Sequence, residues 1–187
     1  MKPLKNRKWS VLSSEYLLQE GEWCTVRRDK VQMPNGVIIP RWYVFEFPTW
    51  ANILATTKDG KILLISQYRH GLGETHYELC AGLIDQTDAS PMEGAKRELE
   101  EETGYGGGRW SLYMTLSANP SNHNNLNYTF LAEGVEPITE RHPEESEDIE
   151  VHLFTKDEVR EILSEGGIIQ AMHAAPLWRY IAENAEE

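Results

Sequence analysis

Cysteine is scarce in this chain. Its 187 residues include two, Cys24 and Cys80, and these form no CxxC pair. Disulfide-rich scaffolds and cysteine-based zinc sites need more thiols at closer spacing, so both classes are excluded. Two isolated thiols are typical of a protein from a reducing compartment, where they stay buried or inert.

Long apolar segments are also lacking. No stretch approaches the roughly 20 apolar residues that a membrane-spanning helix needs. The N-terminus is basic, but no apolar run follows it that could form the core of a signal peptide. We therefore expect a soluble, cytoplasmic protein without a membrane partner.

Basic residues are in the minority. The chain has 18 Lys plus Arg against 30 Asp plus Glu, a formal net charge of −12 at pH 7. Such a surface repels phosphodiester backbones, which argues against a nucleic-acid partner. A small phosphorylated ligand remains compatible with it, because a bound divalent cation reverses the local field. Apolar residues make up 40% of the chain, enough for a folded core.

The pattern of apolar residues and turn residues divides the chain into two parts. Residues 1–48 predict a small antiparallel sheet with a turn at Pro34–Gly36, and Pro40 indicates an edge strand. Residues 49–187 predict the main domain, with strands and helices of a mixed α/β (α+β type) fold. The predicted strands of this domain cover residues 51–57, 61–69, 76–82, 111–119, 126–134 and 149–154, and its last two helices cover 156–166 and 168–185.

One further helix has clear end signals. Ser90 is a good N-cap, Pro91 suits the first helical position, and Glu93 is placed to complete a capping box. Thr103 and Gly104 then provide a C-terminal stop. These signals predict a helix over residues 91–103.

Three glutamates fall on one face of this helix. Glu98, Glu101 and Glu102 lie at positions i, i+3 and i+4, where like charges destabilise an isolated helix. Mg²⁺ or Mn²⁺ would remove that repulsion, since both prefer carboxylate oxygens. The alternative for such a cluster taken alone is a solvated acidic surface.

The segment around this helix resembles the Nudix box, G-x5-E-x7-R-E-U-x-E-E-x-G-U, where U is a bulky apolar residue. Asp88 stands where the box has Glu, and eight residues instead of seven separate it from Arg97. The matching positions are Gly82, Arg97, Glu98, Leu99, Glu101, Glu102, Gly104 and Tyr105. The resemblance implies the Nudix fold, a mixed β-sheet between helices, and a metal-dependent hydrolase of nucleoside diphosphates linked to another moiety.

Further similarity points to one branch of that family. The segment at 65–85 is similar to QYR…E-L-P-A-G-x-I/V-D of ADP-ribose pyrophosphatase-like enzymes, with Cys80 in place of Pro. In that branch a β-rich N-terminal extension contributes to a homodimer and to the nucleotide site. The resemblance implies cleavage of ADP-ribose or another nucleotide sugar into a nucleoside monophosphate and a sugar phosphate. Two alternatives stay open. The enzyme could act on another substrate such as GDP-mannose, or the protein could be a non-catalytic sensor. The presence of Glu98, Glu101 and Glu102 argues against the sensor.

The resemblance also assigns roles in catalysis. It implies that Arg97 orients the glutamates and that Glu145, in the acidic loop before the last strand, is the general base, with Glu144 as the alternative. A metal-activated water would attack phosphorus while this base takes its proton. The ligands of Mg²⁺ (or Mn²⁺) implied in this way are the backbone carbonyl of Ala81 and the carboxylates of Glu98, Glu101, Glu102 and Glu147.

Three further residues are candidates for contact with the substrate. Arg69 suits the diphosphate or the terminal sugar, although a structural ion pair is an equal alternative. Glu78 suits a hydrogen bond to the ligand or support of the site. Trp42 could stack on the nucleobase across a dimer, whereas an aromatic residue on a half-buried strand belongs more often to the core.

Overall fold

The computed structural model describes residues 4–21, 23–142 and 148–185. Contacts between α carbons divide the chain into two compact units. The first contains the described residues through Pro48 together with Asn119–Asn125, and the second contains Thr49–Ala118 and the described residues from Leu126 onward.

The first unit contains a three-stranded antiparallel sheet of order β1-β2-β3. Its strands are β1 (Ser10–Gln19), β2 (Thr25–Gln32) and β3 (Ile38–Glu46). Pro40 lies in β3, an edge strand of this sheet, where a residue without an N–H is tolerated. The loop 119–125 belongs to the same unit, because the backbone N–H of Phe45 donates to the carbonyl of Asn122 at 2.7 Å.

The second unit contains an eight-stranded mixed sheet. β10 pairs in parallel with β4 and antiparallel with β9, while the pairs β4–β5 and β5–β11 are antiparallel. The strands are β4 (Trp50–Thr57), β5 (Ile62–Arg69), β6 (Glu74–Glu78), β7 (Cys80–Leu83), β8 (Tyr105–Gly106), β9 (Arg109–Leu116), β10 (Asn127–Pro137) and β11 (Ile149–Phe154). The helices are α1 (Pro91–Thr103), α2 (Lys156–Ser164) and α3 (Ala171–Glu183).

Apolar side chains cover both faces of this sheet. Ile53 and Ile65 pack with Leu99 of α1 on one face, and the neighbouring residues Leu54 and Leu64 pack on the other. That second cluster also includes Val159 of α2 and Leu177 of α3. The predicted arrangement of a mixed sheet between helices is therefore confirmed.

The run 76–82, predicted as one strand, is divided in the structure. β4 and β5 pair with each other only at Ala55–Leu63 and Thr56–Ile62 and then separate. The ribbon 74–83 enters the gap, where β6 pairs with β5 and β7 pairs with β4. The prediction of a continuous strand was wrong because the chain changes partner at Leu79.

The two C-terminal helices follow their sequence signals. Thr155 and Glu158 form a complete capping box at the start of α2, as their spacing indicates. α3 is one helix that contains Pro176. Within the described ranges, no helix is both long and apolar enough to cross a membrane.

Candidate active site

Helix α1 has the predicted bounds. The hydroxyl of Ser90, in extended conformation, accepts the N–H of Glu93 at 3.3 Å, and Gly104 ends the helix with a left-handed φ of 75°. The carboxylate of Glu93 pairs with Nζ of Lys96 at 2.8 Å. Only the Ser90 half of the predicted capping box is therefore seen.

Two of the three box glutamates are nearly buried. The exposed fractions of Glu98 and Glu102 are 9% and 2%, whereas Glu101 exposes 45% of its side chain. The carboxylate of Glu98 lies against the backbone of Gly82 in β7, so closely that a Cβ at this glycine would overlap it. α1 thus brings carboxylates directly to the strand that carries the Ala81 carbonyl.

Arg97 connects four parts of this site. Its Nη1 lies 2.8 Å from Oε2 of Glu101 and 2.9 Å from Oε1 of Glu98. Its Nη2 donates to the carbonyl of Leu83 at 3.1 Å, and Nε and Nη2 each lie 3.3 Å from an oxygen of Asp88. These contacts, the Asp88 hydrogen bond above all, raise the pKa of Arg97 further above its usual range.

Asp88 occupies a defined position despite the extra residue before the helix. Besides contacting Arg97, its Oδ2 accepts the backbone N–H of Asp85 at 2.8 Å. The Arg97 guanidinium lowers the pKa of the Asp88 carboxyl below its usual value, with the Asp85 N–H adding to the effect. The loop 84–90 accommodates the insertion, so an acidic group still contacts the box arginine.

The donors near α1 suit a hard divalent cation. Glu98, Glu101, Glu102 and the Ala81 carbonyl offer only oxygen ligands, which Mg²⁺ and Mn²⁺ prefer. Across residues 4–21, 23–142 and 148–185, no three acidic, histidine or cysteine side chains already stand in ligating geometry.

The residues next to the acidic loop contact the C-terminal turn of α1. Nε of Arg141 donates to the carbonyl of Glu102 at 2.9 Å, and Nη2 donates to the carbonyl of Ile149 at 2.6 Å. The backbone N–H of His142 donates to the carbonyl of Glu101 at 2.9 Å. The predicted loop residues Glu144, Glu145 and Glu147 lie outside the described residues.

Arg69 and Glu78 form an ion pair on neighbouring strands. Nε of Arg69 donates to Oε1 of Glu78 at 2.9 Å, and its Nη2 donates to Oε2. Glu78 is 2% exposed, while Arg69 exposes 42% of its side chain. The structural ion pair is thus formed, and the guanidinium still reaches the surface.

His173 of α3 lies behind this pair. Its Nδ1 is 3.9 Å from Oε2 of Glu78 and accepts the backbone N–H of Leu79 at 3.0 Å. Complete burial lowers the pKa of His173 to about 4, although the Glu78 carboxylate acts in the opposite direction. The ring is therefore neutral at pH 7, with its proton on Nε2.

Arg141 and His173 were not predicted as parts of the site. Each acts on backbone groups that are distant in sequence, and their partners follow only from the folded chain. The available signals were an arginine at the start of an acidic loop and a histidine within an apolar helical segment.

Trp42 lies in the first unit and has two defined contacts there. Its indole N–H donates to the carbonyl of Ser121 at 3.0 Å, and its ring meets Trp9 edge to face at 5.2 Å. The same loop places His123 against Phe47, with ring centroids 4.9 Å apart.

Comparison with known families agrees with this geometry. Residues 47–172 match the model of the NUDIX domain, and residues 9–45 match the nucleoside diphosphate sugar hydrolase N-terminal domain. The chain therefore belongs to the Nudix family. It is an enzyme of the pyrophosphohydrolase class, which cleaves nucleoside diphosphates linked to another moiety.

Individual relatives are similar over much of their length. An ADP-ribose pyrophosphatase of Mycobacterium tuberculosis is 36% identical over 74% of this chain and 67% of the relative. An ADP-ribose pyrophosphatase of Bacillus subtilis is 31% identical over 78% of each chain. The crystal structure of an ADP compounds hydrolase has the same fold, with a TM-score of 0.81, 22% identity and 99% coverage of both chains.

Proposed function

We propose that this protein hydrolyses the pyrophosphate bond of ADP-ribose or a closely related nucleoside diphosphate sugar. The products would be a nucleoside monophosphate and a sugar phosphate. The observation that carries the proposal is that Glu98 and Glu102 of α1 are nearly buried and that the Glu98 carboxylate lies against Gly82 of β7, the residue after Ala81. The substrates named for the two bacterial relatives and the match of residues 9–45 support the substrate class.

The proposed cofactor is Mg²⁺, with Mn²⁺ as a functional substitute. Its ligands would be Glu98, Glu101 and Glu102, the Ala81 carbonyl, and Glu147 of the acidic loop. When bound, a divalent ion neutralises pyrophosphate charge and lowers the pKa of a coordinated water.

Arg97 has the role of holding the ligand set in place. Its guanidinium contacts Glu98 and Glu101 on the same helix and the carbonyl of Leu83 on β7, so it fixes the helix against the strand. Charge-assisted hydrogen bonds of this kind limit the positions that the carboxylates can take. Asp88 in turn limits the positions of Arg97.

Glu145 is the proposed general base, and Glu144 is the alternative. The proposal is supported by the residues on either side of the acidic loop, since Arg141 and His142 contact carbonyls of Glu102 and Glu101. Arg141 also contacts the carbonyl of Ile149, the first residue of β11. A carboxylate from this loop would take the proton from the attacking water.

Arg69, Glu78 and Trp42 are the proposed substrate contacts. The Arg69 guanidinium suits the diphosphate or the terminal sugar phosphate, because it is held by Glu78 yet remains accessible. Glu78 would act mainly by orienting Arg69. Trp42 would stack on the nucleobase across a dimer, with its indole N–H already engaged by Ser121.

We propose further that the protein is a cytoplasmic homodimer. Strand β1 is exposed along its entire length, and its apolar residues Val11, Leu12 and Leu17 are each more than 40% exposed. A second copy would cover such a surface at an edge strand. The chain contains only two cysteines, in agreement with a reducing compartment.

A substrate panel tests the proposal. Purified full-length protein is incubated with ADP-ribose, other nucleoside diphosphate sugars and dinucleotides in Mg²⁺ or Mn²⁺, and monophosphate products are measured. We expect hydrolysis of ADP-ribose or a close analogue, and its loss in Glu98→Gln and Glu102→Gln. Glu100→Gln is the matched control, because Glu100 lies on the exposed side of the same helix.

The outcomes separate an enzyme from a sensor. Near-normal turnover in both Glu98→Gln and Glu102→Gln would contradict the assigned metal face. No hydrolysis of any panel member by the wild-type protein, with tight ADP-ribose binding in calorimetry, would instead support the non-catalytic sensor. Light scattering during size-exclusion chromatography tests the dimer separately.

A further inference from the structure

At Leu79, between β6 and β7, the chain stops pairing with β5 and starts pairing with β4. Glu78 is opposite Ile65 of β5, and Cys80 is opposite Ile53 of β4. Leu79 lies between these two ladders and is fully buried. A buried backbone N–H outside a ladder costs free energy unless another acceptor is provided.

His173 provides that acceptor from outside the sheet. Its Nδ1 accepts the Leu79 N–H at 3.0 Å, and the ring is itself buried. Immediately before it, the carbonyl of Met172 accepts a hydrogen bond from the side-chain amide of Asn52 in β4 at 2.8 Å. The first turn of α3 is therefore attached to β4 through Asn52 and to Leu79, the residue that joins β6 and β7.

The residues on each side of Leu79 belong to the site. Glu78, directly before it, holds Arg69 through two hydrogen bonds. Ala81, two residues after it, lies opposite Asn52 in the β4–β7 ladder and precedes the glycine that contacts Glu98. Movement of Leu79 would thus shift both Glu78, which holds Arg69, and the Ala81 carbonyl, which is the proposed metal ligand.

We propose that His173 is a positioning residue of this site, whose Nδ1 holds the strand at Leu79 and thereby places both the Glu78–Arg69 pair and the Ala81 carbonyl. The inference rests on the proposed function for the roles of Arg69 and Ala81. It assigns to α3, which carries no residue of the box, an effect on metal and substrate binding.

Two substitutions separate the hydrogen-bond acceptor from the volume of the ring. His173→Asn keeps an oxygen able to accept near the position of Nδ1, whereas His173→Leu fills the space without an acceptor. Tyr113→Phe is the control for destabilisation of α3, because it removes the 2.6 Å bond from the Tyr113 hydroxyl to Glu183 at the other end of that helix. Stability is followed by urea unfolding of the full-length proteins.

The binding of Mn²⁺ alone, measured by electron paramagnetic resonance, is the readout that does not depend on turnover. We expect His173→Leu to raise both the Kd for Mn²⁺ and the KM for ADP-ribose by about 10-fold, because loss of a contact that supports a metal ligand typically has an effect of this size. His173→Asn should stay within about 2-fold of wild type, and Tyr113→Phe should lower stability without changing either constant. Wild-type Mn²⁺ binding and KM in folded His173→Leu, or equal defects in His173→Asn, would overturn the inference.

A second measurement uses the wild-type protein and covers the case in which His173→Leu does not fold. Coupling between two sites is reciprocal, so metal binding should strengthen the contact at Leu79. Hydrogen exchange of the Leu79 amide should become slower in saturating Mg²⁺, and an unchanged rate would overturn the inference. Absence of hydrolysis of any panel compound would refute the proposed function, while the Mn²⁺ and exchange results would still decide the role of His173.

Discussion

The carboxylate of Glu98 in α1 rests directly on the backbone of Gly82 in β7, with no room for a Cβ between them. The first position of the box and one of its central glutamates, 16 positions later in the chain, therefore form a single contact. Glycine is needed here for close approach and not for a special backbone angle, because Gly82 is not among the described glycines with positive φ.

Gly82→Ala should separate function from stability. The added methyl group meets the end of a flexible side chain, so Glu98 can move away at a small cost, and we expect the free energy of unfolding to change by less than about 1 kcal/mol. Turnover should fall nearly as far as in Glu98→Gln, since the carboxylate leaves its position. Gly71→Ala is the control, because a Cβ there meets nothing within 4 Å. Normal turnover in Gly82→Ala would refute this role of the contact.

Arg97→Lys should be damaging although it preserves charge. A lysine ammonium cannot reproduce a planar guanidinium that contacts Asp88, Leu83 and two glutamates at once. We expect kcat/KM to fall by about 10-fold or more, the loss expected when a residue that supports the proposed metal ligands is changed. Arg109→Lys, at an exposed pair with Glu133, should retain full activity. Equal activity of the two variants would show that turnover does not depend on the planar guanidinium of Arg97.

Arg141→Met should destabilise the fold through two backbone carbonyls. The substitution removes the donors to Glu102 and Ile149, and we expect a loss of about 1–2 kcal/mol in urea unfolding. Arg141→Lys should be intermediate, because one ammonium group replaces two separate nitrogens. Arg160→Met breaks only an exposed pair with Asp157 and should cost less than about 0.5 kcal/mol. Indistinguishable unfolding of the Arg141→Met and Arg160→Met proteins would contradict the importance of these bonds.

His173 should make stability depend on pH in a defined window. Its folded pKa of about 4 lies below the ordinary value of 6.5, so below 6.5 the unfolded state binds a proton that the folded state excludes. The free energy of unfolding should therefore decrease by about 2 kcal/mol as the pH falls from about 7 to about 5. Asp88 acts below this window: because its folded pKa is lowered, its stabilising contribution is present above the ordinary value of 3.8 and is lost as the pH falls from 3.8 through the lower folded pKa.

Comparison with His173→Asn isolates this contribution. The variant has no imidazole to protonate, so its unfolding free energy should lack the decrease that His173 causes between about pH 7 and pH 5. Parallel pH profiles for the two proteins, measured by urea unfolding, would show that His173 does not titrate with a lowered pKa.

Features encoded by neighbouring residues were predictable. Ser90, Pro91 and Gly104 predicted both ends of α1, because caps and stops depend on groups within one turn of the helix. The order of strands and helices likewise predicted a mixed α/β fold, while the mixed sheet between helices was implied by the resemblance to the Nudix family. The continuous strand at 76–82 was wrong because local β-propensity carries no information about which neighbour a residue pairs with.

Asp88 departs from the motif in the sequence but contacts Arg97 in the structure. Its spacing departs from the box by one residue, and it is an aspartate where the box has a glutamate. In the structure, the loop before α1 brings its carboxylate to Arg97. A short loop can absorb an insertion without moving the helix that follows.

The sequence alone determined the ends of the box helix and the spacing of its glutamates, because both depend on residues within a few positions of one another. The tertiary structure decided that Glu98 rests on Gly82, that Arg141 reaches the end of α1, and that His173 supports Leu79. The Arg141 and His173 contacts span 39 and 94 positions of the chain, respectively. Their partners are buried backbone groups, whose need for a hydrogen bond arises only when the sheet has formed and water is excluded.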